Sequence, residues 1–286
     1  MNQLHGQRFL EEAARYRPEL PYPPTLLRDL FAMTREESLA TVDDIAEVIG
    51  RDQGLTAKIL ALANSAFYGL QARVASLSRA VSLLGIKEIR SLVLLLGVQS
   101  LTSGVPMPRG FALEEYWAHQ LCTAVVCRLL ARQVDGADPD ILFTSGLLHD
   151  FGKLVAAINR PADQEAILAL AEKGVLAASQ AEEGYWGIEH GLVGGMVLGA
   201  WDLPAELTEP IIWHHAPALS PGHALQASVI CTADILAHRH ADPEHPSSSG
   251  WEPLAAQMGF DVEDLGAKAE EVLSDETLFQ FLAVID

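Results

Sequence analysis

Strand-like alternation is almost missing from this sequence, and that absence sets the fold class. Hardly any segment alternates polar and apolar residues, whereas nearly every segment repeats its apolar residues at the helical period. Aromatic side chains are sparse at 7%, against abundant Ala and Leu, which also favours helices. Only three cysteines occur, Cys122, Cys127 and Cys231, without paired metal-type spacing. They are expected to be small buried groups in a reducing compartment. No glycine-rich phosphate loop and no internal repeat is found. Basic residues are scarce too: 19 Lys and Arg face 38 Asp and Glu, a net charge of −19. The imbalance lies wholly in residues 106–286, which hold 8 basic and 27 acidic side chains. Such a surface repels phosphate backbones, so direct binding of nucleic acid is not expected. It suits cations, or simply solubility. The opening MNQLHGQRFLEEAARY is too polar for a signal peptide. The most apolar run, SLVLLLGV at 91–98, is too short to cross a bilayer and closely follows Lys87, Glu88 and Arg90. A cytoplasmic protein without a membrane partner is therefore expected.

What is present is a succession of helical segments. Residues 41–65 read as two short helices, the first capped by Thr41 with Asp43 and Asp44 in its first turn and the break marked by Gly54. Two more meet near Gly85. PMPRG at 106–110 is the best internal boundary, with two prolines and a glycine in five residues. Helical stretches follow at 112–133, 139–158, 188–201, 204–215 and 222–238. A loop by composition covers 241–253, and one or two closing helices run from about 254 to 284. The class is all-α, with an N-terminal helical subdomain over 1–105 and a larger acidic one over 106–286.

SGLLHDFGKLV, residues 145–155, sets His149, Asp150 and Lys153 inside an otherwise apolar helical run. Ionisable groups there need partners, because burying them alone is costly. Other helices carry candidates. Glu115 and His119 are four apart and share a face. His190 opens a helix, His214 and His215 close another before Pro217, and Asp234 stands among apolar neighbours. Each has a structural explanation taken singly; His214 and His215, for instance, suit a helix C-terminus. Jointly they suit a metal centre between facing helices. Imidazole and carboxylate without thiolate favour Fe, Mn or Zn. Adjacent helical residues point about 100° apart, so His149 and Asp150 can flank one ion, or Asp150 can bridge two. Lys153, a turn after Asp150, can hold a phosphate oxygen or pair with a carboxylate. His5 and His223 read as solvent-facing, and His238, His240 and His245 as hydrated groups around the polar loop.

His119, His149-Asp150 and Asp234 together resemble the H…HD…D metal signature of the HD superfamily of phosphohydrolases. Residues 54–94 narrow the likeness. Leu62-Ala63-Asn64-Ser65-Ala66-Phe67-Tyr68-Gly69 and the following Ser-Leu-x-x-Ala-Val-x-x-Leu-Gly resemble the HDOD domain, and the likeness runs from about Leu20 to about Ala237. The resemblance implies a multi-helix bundle with an HD-like C-terminal core, the two parts packed as one HDOD unit. It also implies a bacterial signalling or regulatory module, from a family generally regarded as non-catalytic. Many members of that family have lost parts of the metal site, and this chain departs from that expectation by keeping the set. The related HD-GYP phosphodiesterases use a Glu-x-x-x-His helix, an HDxGK turn, a separate His, a His-His pair and a final Asp. These match Glu115 and His119, then His149, Asp150, Gly152 and Lys153, then His190, then His214 and His215, then Asp234. APALSPGHAL after His215 lacks the Asp-Gly-x-Gly-Tyr-Pro element of that family, which argues against cyclic di-GMP hydrolysis.

Three functions stay open. One is a regulatory protein holding one or more divalent ions, Fe, Mn or Zn, and answering to another signalling protein or to a small phosphorylated or nucleotide ligand. The second is a metal-dependent phosphohydrolase, acting as a phosphodiesterase or nucleotide phosphatase. There Asp150 would orient a water, Lys153 would steady transition-state charge, and a free His190, His214 or His215 would protonate the leaving oxygen. The third is a redox or oxygen sensor built on iron. The Asn64–Gly69 run is either part of an interaction surface or a helix end fixed by Gly69, with Phe67 and Tyr68 turned inward.

Overall fold

A computed structural model describes residues 2–13, 15, 24–33, 38–174 and 176–285, and among them every regular element is a helix. The first half runs α1 (Asn2–Ala13), α2 (Pro24–Met33), α3 (Val42–Gly50), α4 (Gln53–Ala63), α5 (Leu77–Leu84), α6 (Ile86–Ser100), α7 (Leu113–Ala131) and α8 (Pro139–Leu148). The second half runs α9 (Phe151–Asn159), α10 (Pro161–Gly174), α11 (Ala178–Trp186), α12 (His190–Ala200), α13 (Ala205–Ile212), α14 (Ala224–Ala241), α15 (Trp251–Gln257), α16 (Val262–Leu273) and α17 (Thr277–Ile285). Contacts divide the chain into two compact units. One is Arg17–Val105 with Asp275–Asp286, and so holds α2–α6 and α17. The other is Met1–Tyr16 with Pro106–Ser274, and so holds α1 and α7–α16.

In the smaller unit the local signals work as their chemistry dictates. Thr41 accepts from the Asp44 backbone N–H at 3.2 Å, and the Asp44 carboxylate accepts from the Thr41 N–H at 2.7 Å, a reciprocal cap on α3. The apolar run of α6 is core: residues 88–98 are all buried. The Asn64–Gly69 run is a structural clamp. The Asn64 amide donates to Leu60 O (2.7 Å) and Val74 O (2.9 Å) and accepts from Val74 N (2.8 Å). Gly69 takes the left-handed conformation, φ 57°, that ends the short turn Ala66–Tyr68. Phe67 packs on Phe281 of α17 at 4.9 Å, and the Tyr68 hydroxyl donates to Glu88 Oε1 at 2.5 Å.

In the larger unit α7 packs along α8 and α14, while α9 packs on α12 and α12 on α13. Its core includes Phe143, Phe151 and Trp186. The stretch expected as one helix over 139–158 is broken. Asp150, at φ −94° and ψ 11°, leaves helical geometry and separates α8 from α9. By length and composition Pro139–Asn159 is apolar enough to cross a membrane, but 83% of an 18-residue apolar window within it is buried in the protein, so it serves as core. Two helices, α10 and α11, lie within 161–186, between the expected helices at 139–158 and 188–201. Helix α14 runs three residues past the expected end at 238. The cysteines are all free; burial pushes the Cys122 thiol up to about 11 and Cys231 to about 12.

Candidate metal centre

Five segments of the larger unit supply the expected donors. His119 projects from α7. His149 closes α8, and Asp150 stands at the break before α9. His190 opens α12, His214 and His215 follow α13, and Asp234 lies mid-way along α14. Seven of these side chains meet. Their donor atoms form overlapping groups of three, each within 4.8 Å: His190, His214 and His215; His119, His149 and Asp150; His149, His214 and Asp234. A further group joins His119 and Asp234 to His238. Glu115 is the exception. It is exposed on the rim of the cleft above and belongs to none of the tight donor groups found among the described residues.

The spacing suits coordination. Asp150 Oδ2 lies 3.4 Å from His149 Nε2 and 3.8 Å from His119 Nε2. Asp234 Oδ1 lies 2.9 Å from His119 Nε2 and 3.5 Å from His149 Nε2. Four donors about 2.1 Å from one tetrahedral ion stand about 3.4 Å apart, so these edges need little adjustment. The other Asp150 oxygen, Oδ1, is 2.8 Å from His190 Nε2. Asp150 therefore meets the two sides of the cluster with different oxygens, as a bridging carboxylate does.

Each imidazole of this set outside α7 is held from behind. His149 Nδ1 donates to Gly146 O at 2.8 Å and His214 Nδ1 to Ile211 O at 2.7 Å. A carbonyl only accepts, so Nδ1 carries the proton and Nε2 presents its lone pair to the centre. His190 Nδ1 meets Glu182 Oε2 at 2.6 Å and His215 Nδ1 meets Glu189 Oε2 at 2.9 Å, the carboxylate–histidine arrangement that orients metal ligands. Nε2 of His149, His190 and His214 and Oδ1 of Asp150 are buried without a hydrogen-bond partner. The last of these and His190 Nε2 are close but misaligned for such a bond. Orphaned buried groups of this kind cost about 1–3 kcal/mol each. A divalent cation among them would satisfy all four, so these residues fit a metal held by nitrogen and oxygen.

The electrostatics agree. Burial alone would push the Asp150 carboxyl up, but His149, Lys153 and His190 outweigh it and hold the group well below the usual carboxylate range. Asp234 is likewise held well below that range, against burial, by His119, His149 and His238. Burial, then the neighbouring imidazoles, pushes His214 well down, and burial with His190 brings His215 to about 3. Both stay neutral, the form that ligates metals. His190 goes the other way. Burial lowers it, yet the Glu182 and Asp150 carboxylates prevail and push it up to about 9, so in the metal-free protein His190 carries a proton that a bound cation would have to displace from Nε2. Lys153 is raised, because Asp150, Asp234 and Glu182 overcome burial; its Nζ is 2.7 Å from Asp150 Oδ2.

A cleft of about 250 Å³ opens over the centre, lined by His119, Lys153 and His215 and by Phe111, Gln164 and Ile167. Several residues here escaped the sequence. Glu182 sits beside Glu183 in the unassigned stretch, where a Glu pair reads as surface, yet it is fully buried. Gln120 donates to Asp150 Oδ2 at 3.4 Å. His238 is not a hydrated loop residue: α14 continues through it, and its spacing of four from Asp234 puts both on one face. That spacing was the available signal. His245 stacks on His238 with centroids 4.4 Å apart and planes at 6°. His240 pairs with Glu270 at 3.0 Å, and His223, far from free in solvent, with Glu209 at 3.2 Å. The side chain of His5 lies outside the described part of the chain.

Comparison with known proteins gives the family and the fold. The HDOD domain model matches residues 20–217, a span holding every donor named except Asp234 and His238. Among solved structures, a candidate phosphohydrolase from Shewanella amazonensis SB2B is 24% identical with a TM-score of 0.76, over 97% of this chain and 98% of that one. A candidate signal transduction protein from Marinobacter aquaeolei VT8 is 22% identical with a TM-score of 0.81, over 100% of this chain and 66% of that one. At these identities the likeness is one of fold. An uncharacterised protein of Treponema pallidum (strain Nichols) is 24% identical over 206 residues, 69% of this chain. The match covers 38% of that relative's length.

Proposed function

The chain belongs to the HDOD domain family, and from that premise we propose a signalling module whose larger unit carries a divalent transition-metal centre. His119, His149, Asp150, His190, His214, His215 and Asp234 hold it; Glu115 lies at its rim. The supporting observation is the convergence of lone-pair nitrogens whose Nδ1 atoms are anchored elsewhere, together with the orphaned Asp150 oxygen. The donor chemistry suits Fe or Mn, and also Zn. The partner is another signalling protein, or a small phosphorylated ligand entering the cleft. The candidate signal transduction protein of the same fold is consistent with this role. Elemental analysis of the purified protein tests the reading. Near-stoichiometric Fe, Mn or Zn is expected, with most of it lost in the His149→Ala/Asp150→Ala double variant. Metal-free wild type would return the imidazoles to structural duty.

One observation favours a second reading, a metal-dependent phosphohydrolase: Lys153 places its ammonium beside Asp150 where the centre meets the cleft. A bound metal supplies a more acidic water and polarises a phosphoryl oxygen. Asp150 would accept from and orient that water through its carboxylate, whose Oδ2 is also held by Lys153. Lys153, about one-sixth exposed, would face a phosphate oxygen in the cleft and steady its charge. The metal-loaded protein should then be screened against phosphomonoesters, nucleotides and cyclic dinucleotides. Turnover that disappears in Asp150→Ala supports the hydrolase; no turnover with any metal leaves the signalling module.

A further inference from the structure

We propose that His238 adds a solvent-reachable cation position to the centre, held by His119, Asp234 and His238: the His119 nitrogen serves this ion alone, Asp234 is shared, and the deep donors are then His149, Asp150, His190, His214 and His215. It rests on the metal reading above and extends it to a residue outside that set. Asp234 Oδ1 is 2.9 Å from His119 Nε2 and 3.4 Å from His238 Nε2, and all three donors lie within 4.8 Å. The latter spacing is already close to the edge of about 3.4 Å expected around a four-coordinate ion. His238 joins this tight group alone, not those of His149, Asp150 or His214.

The ring of His238 is held for the task. It packs against His119 on one side, centroids 4.2 Å apart, and against His245 in a parallel stack. His245 is itself fixed, because the Ser247 backbone N–H donates to its Nδ1 at 3.1 Å. Exposure separates the rim position from His149, His190 and His214, though not from His215, whose side chain is 23% exposed. The side chains of His119 and His238 are 15% and 21% exposed, whereas those of His149 and His214 are fully buried. An ion at the rim has three protein donors and faces the cleft, which leaves room in its shell for water or an anionic group. It exchanges with the medium, while an ion among the deep donors does not without local opening. The ligand class is an exchangeable divalent transition cation, and the centre thereby gains a part able to follow the metal supply.

The full chain should be loaded with Zn(II) or Mn(II), dialysed against a weak chelator and followed by elemental analysis over time. Wild type should release one equivalent quickly and keep the rest. His238→Ala should bind one equivalent fewer, without the fast phase. His238→Gln, which keeps a polar side chain beside Asp234, should behave likewise, and both variants should melt as wild type does in the metal-free state. Wild type that holds metal, with both variants unchanged in count and release, would overturn this position alone. Wild type without metal would overturn the proposed function together with it.

Discussion

Gly152, the second residue of α9, is where the smallest change should do the most damage. A Cβ added there would lie 2.0 Å from the His190 carbonyl oxygen, 2.7 Å from its carbonyl carbon and 2.9 Å from Gly194 N. A carbon–oxygen contact normally settles near 3.3 Å, so α9 and α12 must part by roughly 1 Å. The obstacle is backbone, and no side-chain rotation relieves it. Overpacking of this kind costs about 1–3 kcal/mol. For a unit of this size, a 2 kcal/mol loss lowers the melting midpoint by roughly 4–8 °C. The displacement also falls on His190, whose Nε2 must stay beside Asp150 Oδ1. Gly152→Ala should therefore melt several degrees early and retain less metal, read by far-UV circular dichroism and elemental analysis. Gly199→Ala on α12 is the control: a Cβ there meets nothing within 4 Å, so stability should hold or rise by about 0.5–1 kcal/mol. A Gly152→Ala protein with wild-type midpoint and metal content would refute the close approach of the two helices.

Removing Glu182 leaves the backbone N–H and Nδ1 of His190 without their acceptor in a buried place. Glu182→Ala should cost about 2–4 kcal/mol and weaken metal affinity about 10–100-fold; unchanged affinity in a chelator competition would discard the orienting role. Glu209 accepts from Gly222 N, Ser220 Oγ and His223 N, which outweigh burial and lower its carboxyl to about 2 from the usual 4.5. A lowered folded value gives stability that is present above 4.5 and fades as pH falls toward 2. Glu209→Gln should thus lag wild type by about 1 kcal/mol near neutrality, after allowance for solvent screening. The gap should close in acid, and a gap independent of pH in denaturant titrations would argue against it. Asn64→Ala loses all three side-chain hydrogen bonds of the clamp and should destabilise the smaller unit by about 2 kcal/mol. An unshifted melting curve would show the clamp to be idle.

The helical class was readable because apolar period is a local property, and so was the convergence of His119, His149, Asp150, His190, His214, His215 and Asp234, since unpaired ionisable groups on apolar faces must find company. What stayed hidden depends on geometry that no short window contains. Glu182 reads as surface beside Glu183, and only the turn between α11 and α12 carries it under His190. His238, the last residue of the expected helix 222–238, reads as hydrated because a polar loop follows closely, whereas α14 runs on to Ala241. The break at Asp150 was invisible as well, since Leu147, Leu148, Phe151 and Leu154 keep the apolar pattern running across it. Glu115 shares its face with His119 by spacing, yet the first turn of α7 lies toward solvent, where a shared face no longer means a shared centre.

Asn64 knots the end of α4 to the segment around Val74, and the family hallmark around it is thus a piece of joinery. Whoever scans that hallmark by alanine will be measuring whether the smaller unit holds its shape, and a lost phenotype there would be silent about recognition. The ancestry of this unit is written in residues that keep it assembled, so its working surface should be sought among side chains whose removal leaves assembly intact.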